Sequence, residues 1–219
     1  MKSKAKFKVT DTALQLTEKI NRALAISIDN AASKIDPNIG LSLGPLLLSK
    51  WRSSATYNSL ISGDLNGKFG FYKGTAKDKV DNILEEAAIS IKVAYVGTRI
   101  FKTRFKTEVR IYILKEDLLG ILESIDAVIV SEKGVTLEWA RWLLTRGDEI
   151  VVDKYRFYGK GGLGRSGRGI MEKGLSFKVP TAHSGVRGDN WLTKVLRTFI
   201  AEISVESRNI IEQAIKRNL

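Results

Sequence analysis

Apolar residues recur at three- and four-residue steps near the start of the chain, which is the spacing of one helix face. Across residues 11–35 these positions are Leu14, Leu16, Ile20, Leu24, Ile28, Ala31 and Ile35. Thr10, Asp11 or Thr12 can cap the first turn, and Asp36-Pro37 ends the pattern. We therefore predict a helix of about 25 residues and nearly 40 Å, long enough to pack against something beyond its own core.

Residues 41–96 predict two helical regions, a loop and a strand. Residues 41–65 have helical spacing that is broken at Gly44-Pro45 and ends at residues 62–64. Residues 66–75 predict a loop with three exposed aromatic side chains. Residues 76–96 then predict an amphipathic helix followed by a short strand.

The next segments alternate between strand and helix patterns. Residues 102–114 predict a half-buried strand, with Phe105, Val109, Ile111 and Ile113 on its apolar face. Residues 116–124 predict a short helix with acids in its first turn. Residues 127–134 predict a buried strand and a turn.

Residues 137–196 combine aromatic helices with two long loops. Residues 137–149 predict a helix that stops at Gly147, residues 150–158 a basic strand, and residues 176–179 a short strand before a helix that starts near residue 190. The loops span residues 159–176, with a glycine-rich part at 159–169, and residues 181–188. Loops this long inside a compact domain are usually functional or disordered.

The order of these elements predicts an α+β fold. We expect a small mixed or antiparallel sheet packed by helices, with a long N-terminal helix and a long C-terminal helix. Residues 1–50 are assigned to a basic arm and the N-terminal helix, and residues 51–219 to a single α+β domain.

Composition adds a strong charge bias to this picture. The chain has 219 residues, 43% of them hydrophobic, a formal charge of +12 and no cysteine, and its pI is about 9.8. Such a chain is expected to fold and to attract polyanions. Disulfides, cysteine metal sites and thiol nucleophiles are excluded. Because no apolar run could span a bilayer and the first residues lack the apolar part of a secretory signal, we expect a soluble intracellular protein with no membrane partner.

Two basic segments are candidates for contact with DNA or with an acidic partner. They are the N-terminal arm and the outer face of the strand in 102–114, with the residues Lys2, Lys4, Lys6, Lys8, Lys102, Arg104 and Lys106. Charged faces of this kind are as often only solvated, so both interpretations stay open.

The glycine-rich stretch GKGGLGRS (159–166) almost matches a phosphate-binding loop. Arg165 stands where that motif has lysine, and the two residues are not interchangeable. Such a loop must also open a helix, whereas further glycines follow within ten residues. We therefore expect a loop that orders against another subunit or a phosphate backbone, rather than a nucleotide site.

The candidates for catalysis are few. His183 is the only histidine and Ser184 is its neighbour, which is too close in sequence to suggest an assembled triad. Paired acids such as Asp148-Glu149 point in different directions from adjacent positions. We therefore expect no enzymatic activity, no metal and no cofactor.

Trp139 and Trp142 lie three residues apart and share a helix face with apolar neighbours. A core stripe is favoured over a platform for stacking nucleobases. With Trp191 they are predicted to form a scaffold that presents the two loops.

A set of features follows in order over about residues 55–198. They are the upstream SGDLNGKFGF at 62–71, the EWxxWLLxxGD helix at 138–148, the strand at 150–158, GRSGRGIM at 164–171, FKVP at 177–180 and the helix start at 185–193. In these features the C-terminal half is similar to the small neck proteins (head–tail connector or tail-completion proteins) of tailed bacteriophages. The long N-terminal helix lies outside this resemblance.

The resemblance implies a connector-type domain in residues 51–219 and a structural subunit that assembles as a ring around the DNA channel. Its expected location is the virion neck or tail, and the host cytoplasm during assembly. Expected partners are further copies, other neck, portal or tail proteins, and packaged DNA. The loop residues expected at subunit interfaces are Gly161, Gly162, Gly164, Arg165, Ser166, Arg168, Ser184 and Arg187. The alternative is a basic, sequence-nonspecific nucleic-acid-binding protein that acts as a monomer or dimer.

Overall fold

A computed structural model describes residues 11–34, 39–101, 104–132, 134–147, 149–202, 209–210, 212–213 and 216–217. Its helices are α1 Ala13–Ala32, α2 Gly40–Arg52, α3 Ala55–Ile61, α4 Asp64–Phe69, α5 Ala76–Ile89, α6 Lys115–Glu123, α7 Trp139–Thr145 and α8 Trp191–Ala201. Its strands are β1 Ile91–Ile100, β2 Phe105–Ile113, β3 Ile129–Val130, β4 Thr136–Leu137, β5 Ile150–Val152, β6 Tyr155–Tyr158, β7 Ile170–Lys173 and β8 Phe177–Lys178.

The strands form small antiparallel pairs, joined as β1–β2, β3–β4, β5–β8 and β6–β7. Helices make up the larger share of the fold, with α1 and α8 near its two ends. The predicted α+β class is therefore confirmed. Each of these small sheets is antiparallel, which was one of the two expected arrangements.

One apolar core unites α2, α5 and α8 with the central helices and strands. Trp51 on α2 is fully buried, and its indole N–H donates to the Leu192 carbonyl of α8 at 3.2 Å. The indole N–H of Trp191 donates to the Ser54 hydroxyl at 2.9 Å. Residue 50, our expected division of the chain, thus lies within a helix that packs against the C-terminal half.

Helix α1 has 20 residues, fewer than predicted. Thr12 caps it in a reciprocal pair with Gln15: the Gln15 backbone N–H donates to the Thr12 hydroxyl at 3.2 Å, and the Thr12 N–H donates to the Gln15 amide oxygen at 2.8 Å. Its buried residues are alanines only, and it packs against β1 and β2. The apolar side chains that predicted the helix are therefore largely left on its outer sides.

The predicted break at Gly44-Pro45 is wrong, because α2 runs through both residues. Pro45 lies on the exposed side of the helix, whereas Gly44 is buried against the Ala88 carbonyl of α5. Proline removes one backbone hydrogen bond. The buried side chains of Leu43, Leu47 and Trp51 hold the two halves of the helix in line. The chain instead turns at residues 53–54, where the Ser54 side chain caps α3.

The prediction of a loop with exposed aromatics at residues 66–75 is also wrong. Residues 64–69 form α4, and Phe69 and Phe71 are fully buried. Both rings contact Trp139 of α7, with ring centroids 6.4 Å and 5.2 Å from the indole. The burial comes from a helix about 70 residues away in sequence, so local periodicity could not indicate it.

The expected strand at residues 150–158 is divided by a turn at Asp153 and Lys154, where Lys154 has a φ of 60°. The first part, β5, pairs with β8, and the second part, β6, pairs with β7. The β7 strand lies inside the region predicted as one continuous loop. The glycine-rich residues 159–169 therefore form the connection of a β-hairpin.

Asp81 on α5 ties together three helices. Its carboxylate accepts hydrogen bonds from the Arg52 guanidinium at 2.9 Å, the Tyr57 hydroxyl at 3.0 Å and the Lys77 ammonium at 2.6 Å. Burial raises the pKa of Asp81, but these three donors outweigh it and hold the pKa below its ordinary value. No sequence motif marked this cluster, because Arg52, Tyr57 and Asp81 belong to three different helices.

Candidate functional site

The glycine loop, residues 159–169, is shaped by backbone that only glycine adopts readily. Gly162, Gly164 and Gly167 have φ values of 82°, 70° and 67°. Hydrogen bonds close it on itself: the Gly162 N–H donates to the Gly167 carbonyl at 2.8 Å and the Gly169 N–H to the Leu163 carbonyl at 3.0 Å. Strand β7 follows, so the loop does not open a helix as a phosphate-binding loop does.

Arg165 anchors this loop to the preceding part of the chain. Its carbonyl accepts from the Lys73 backbone N–H at 3.0 Å, and its guanidinium lies over the Tyr72 ring, 5.4 Å from the centroid. The guanidinium also donates to the Phe69 carbonyl at 3.5 Å. Ser166 is buried beside it, and its hydroxyl accepts from the Arg168 N–H at 3.2 Å. These two predicted interface residues are turned inward, while Gly161, Gly162, Gly164 and Arg168 are exposed.

The loop and the start of α5 enclose a cleft of about 720 Å³. Lys73, Gly74 and Lys77 line one side, and the glycine loop with Arg165 and Arg168 lines the other. No acidic side chain belongs to this lining among the described residues. The glycine pattern in the sequence indicates the loop, but no sequence signal marks the two lysines, which lie about 90 residues earlier in the chain.

The second loop, residues 181–188, is pinned at its glycine. The Gly147 N–H donates to the Gly185 carbonyl at 2.6 Å, and Val186 bridges to Arg146 and Asp189. Asn190 then caps α8, with the Thr193 N–H donating to its side-chain oxygen at 3.0 Å. Ser184 is half-buried, whereas Arg187 is exposed.

The three tryptophans of the predicted scaffold differ in burial. Trp139 is 1% exposed and Trp191 is 4% exposed, and both lie in the core. Trp142 is half-buried at the edge of that core, and the Arg146 guanidinium covers its ring at 4.4 Å from the centroid. This geometry leaves no open indole face at Trp139 for a nucleobase.

The predicted basic face lies on a projecting β-hairpin. Strands β1 and β2 pair from Ile91–Ile113 to Ile100–Phe105, with a bulge between Tyr95 and Gly97. Arg104, Lys106 and Arg110 are exposed on this hairpin. The Arg104 guanidinium lies 5.3 Å from the centroid of the Phe101 ring at the tip. The candidate residues Lys2, Lys4, Lys6, Lys8 and Lys102 lie outside the described residues.

His183 is half-buried in the second loop, and its Nδ1 lies 2.9 Å from the Thr56 hydroxyl of α3. Burial lowers the pKa of His183, and the positive charge of Lys68 lowers it further, against a smaller opposite effect of Asp64. The histidine therefore favours its neutral form, which suits a hydrogen-bonded structural contact between the loop and α3.

Within the described residues, no group of three or more histidine, cysteine or acidic side chains is arranged to hold a metal ion. No described helix is both long and apolar enough to cross a membrane. Comparisons of the chain with known protein families, with curated proteins and with solved structures find no match.

Proposed function

We propose that this chain is a structural subunit of the neck of a tailed-bacteriophage virion. Copies would form a ring that joins the head or portal region to the tail and surrounds the DNA channel. The proposal is supported by the sequence resemblance over residues 55–198 and by one structural feature, the exposed apolar face of α1. In this role the chain is not an enzyme and uses no cofactor.

The apolar face of α1 consists of Leu16, Ile20 and Leu24, which follow one another at four-residue steps. Their side chains are 45%, 50% and 48% exposed. Covering the exposed half of each would stabilise a complex by about 1 kcal/mol per residue. A contiguous apolar strip on a surface helix is typical of an interaction site.

A second copy of the chain is the occupant that fits this face. Helix α1 carries two acids and two bases, so it forms a neutral strip on a chain of charge +12. Copies that meet along this strip avoid most of the like-charge repulsion that their other surfaces would cause.

A closed ring also needs a second, different surface on every copy. Ile150 and Val186 offer one, since they are 45% and 56% exposed. Val186 lies beside Gly147, where the second loop is pinned, and Ile150 follows three residues after this glycine. The proposed contact therefore joins α1 of one copy to the surface around the second loop of the next. Arg187, at the exposed edge of this surface, is placed to contact the neighbour.

Self-association of the full chain tests this contact. We expect sedimentation velocity to show a concentration-dependent assembly that persists when salt is raised, because an apolar interface is not weakened by screening. The double variant Ile20→Gln with Leu24→Gln should weaken assembly about 30-fold, from the loss of about 2 kcal/mol. Glutamine keeps the helix propensity near that of the original residues.

The control variant is Leu14→Gln with Ile26→Gln, which replaces the same residue types at similarly exposed positions off the strip. It should change assembly by less than about threefold, which is under 1 kcal/mol. Equal weakening by both variants, or a chain that stays monomeric at about millimolar concentration, would contradict the proposed contact.

The alternative function, sequence-nonspecific nucleic-acid binding by a monomer or dimer, is favoured by the exposed basic face of β2. Salt separates the two functions, because DNA binding through phosphates falls steeply as salt rises. Tight binding of duplex DNA by a chain that never assembles would favour the alternative.

A further inference from the structure

The cleft between the glycine loop and the start of α5 has no role in the proposed ring contact. It brings together four cationic side chains from two distant parts of the sequence: Lys73 and Lys77, and Arg165 and Arg168. Lys77 is paired with Asp81, but the lining offers no acidic side chain to the other three, and like charges around one cleft repel each other unless an anion lies between them. The clustering itself therefore indicates the charge of a ligand.

Two of these cations are not engaged elsewhere. Lys77 pairs with Asp81, and the Arg165 guanidinium is held against Tyr72. Lys73 and Arg168, by contrast, form no ion pair with any residue that the structure describes. Lys77 and Arg165 are thus held in place by other residues, whereas the side chains of Lys73 and Arg168 can move towards an anion in the cleft.

The glycines leave the backbone of the cleft open. A Cβ atom added at Gly74, Gly161 or Gly162 would meet nothing within 4 Å. A ligand can therefore approach the main chain closely, as phosphate groups do where glycine backbone lines a site. The carboxylates of a rigid protein surface would gain less binding energy from this open main chain than a phosphate group would.

The lining contains no aromatic side chain on which a base could stack. It also offers few side chains that could read a base edge, apart from Asn66, whose amide donates to the Leu60 carbonyl at 2.9 Å. The recognisable part of a ligand is therefore its phosphate.

We propose that this cleft binds backbone phosphates of a nucleic-acid strand, independently of sequence. Lys73 and Arg168 contact the phosphates, Arg165 adds to the positive potential, and the glycine backbone provides the space. The site is complete within one copy of the chain, so it does not depend on ring assembly.

Fluorescence anisotropy with a labelled duplex of about 20 base pairs, and with one of its single strands, tests the proposal. The variant Lys73→Gln with Arg168→Gln should weaken binding about tenfold or more at low salt. It should also reduce the slope of log K against log salt by about 2, since each lost phosphate contact removes about 0.9.

The matched control is Lys34→Gln with Lys115→Gln, which removes the same charge from two exposed lysines that lie outside the cleft and outside the basic face of β2. It should weaken binding less than about threefold, a difference under 1 kcal/mol. Equal weakening by the two variants would mean diffuse attraction to a basic surface and would overturn the cleft proposal. An unchanged affinity in the cleft variant would overturn it as well.

A second variant blocks the cleft without changing its charge. Gly161 faces open space and its φ lies outside the left-handed region, so Gly161→Leu introduces a side chain without backbone strain. DNA binding should fall about tenfold, whereas Gly188→Leu in the second loop, another glycine facing open space, should leave it unchanged. Unimpaired binding by Gly161→Leu would overturn the proposal.

Competition identifies the chemistry of the ligand. Pyrophosphate and ATP should displace the oligonucleotide from the wild-type chain only at millimolar concentration, through the phosphate groups they share with it. Polyglutamate of equal charge should compete less well than unlabelled DNA. Displacement by polyglutamate that matches DNA would assign the cleft to an acidic protein partner and refute nucleic-acid binding.

Discussion

Replacing Trp139 by alanine is expected to lower the free energy of unfolding by about 3–5 kcal/mol, the usual cost of emptying a buried tryptophan site. Its ring packs against Phe69 and Phe71, and its indole N–H donates to the Asp126 carbonyl at 2.7 Å. Alanine removes these contacts and leaves the Asp126 carbonyl without its donor. Urea unfolding followed by circular dichroism measures the loss.

Trp142→Ala is the control on the same helix. Trp142 is only half-buried, and the Arg146 guanidinium shields its outer face. We expect a loss of about 1–2 kcal/mol, from partial burial and one cation–π contact. Equal losses for the two variants would show that α7 does not pack as described, with Trp139 inside and Trp142 at the edge.

Replacing Asp81 by asparagine is expected to destabilise the chain by about 2–3 kcal/mol near neutral pH. The usual cost of breaking a buried ion pair is about 3–5 kcal/mol. The smaller figure applies here because Arg52 and Lys77 reach solvent and can be rehydrated. At about 2–4 °C per kcal/mol for a chain of this size, the melting temperature should fall by roughly 4–12 °C.

The pH dependence of this loss follows from the lowered pKa of Asp81. A carboxyl group with a pKa lower in the folded than in the unfolded state stabilises the fold above its unfolded pKa, ordinarily 3.8. That stability disappears as the pH falls through the folded pKa. The difference between wild type and Asp81→Asn should thus be constant from about pH 8 to 5 and shrink below about pH 4.

Tyr57→Phe serves as the control for this cluster. It removes one hydrogen bond to Asp81 but keeps the carboxylate and both cations, so we expect a loss of about 1 kcal/mol. Its stability should follow that of the wild type as the solution is acidified. A wild-type advantage over Asp81→Asn that persists unchanged to about pH 3 would contradict the lowered pKa.

Sequence periodicity predicted the elements whose burial is set locally. The alternation of Val109 and Ile111 with basic residues matches a strand with one buried and one exposed face. Capping chemistry was equally readable, since Thr12 was among the three expected caps of α1. Local pattern and tertiary packing agree in these segments, and prediction succeeds for that reason.

Prediction failed where packing comes from distant sequence. Phe69 and Phe71 resemble loop aromatics until Trp139 covers them. Pro45 resembles a helix breaker until the exposed side of α2 accommodates it. In each case a partner at least 60 residues away, or the choice of helix face, decides the outcome.

The candidate site also has one part that the sequence predicted and another part that only the fold shows. The glycine loop was evident from its composition. The structure gives the reason for that composition, since three of its glycines occupy left-handed backbone. The cleft beside it depends on Lys73 and Lys77, which carry no motif and become significant only when the fold places them opposite the loop. The apolar side chains of α1 were predicted as a helix face, but only the fold shows that they remain uncovered.

In the proposed neck ring, another copy of the chain covers the apolar face of α1. Since the chain has no cysteine, a single introduced cysteine reports on its own position. Ile20→Cys places a thiol on the apolar face, and Arg22→Cys places one on nearly the opposite side of the same helix, because consecutive residues turn by about 100°.

The deciding measurement is the rate at which each cysteine reacts with a bulky maleimide, below and above the concentration at which sedimentation shows assembly. Assembly should slow the reaction of Ile20→Cys about tenfold or more, as for a side chain shielded by about 1.4 kcal/mol, while Arg22→Cys changes by less than about twofold. An assembled chain in which Ile20→Cys reacts as fast as in the monomer would contradict the account.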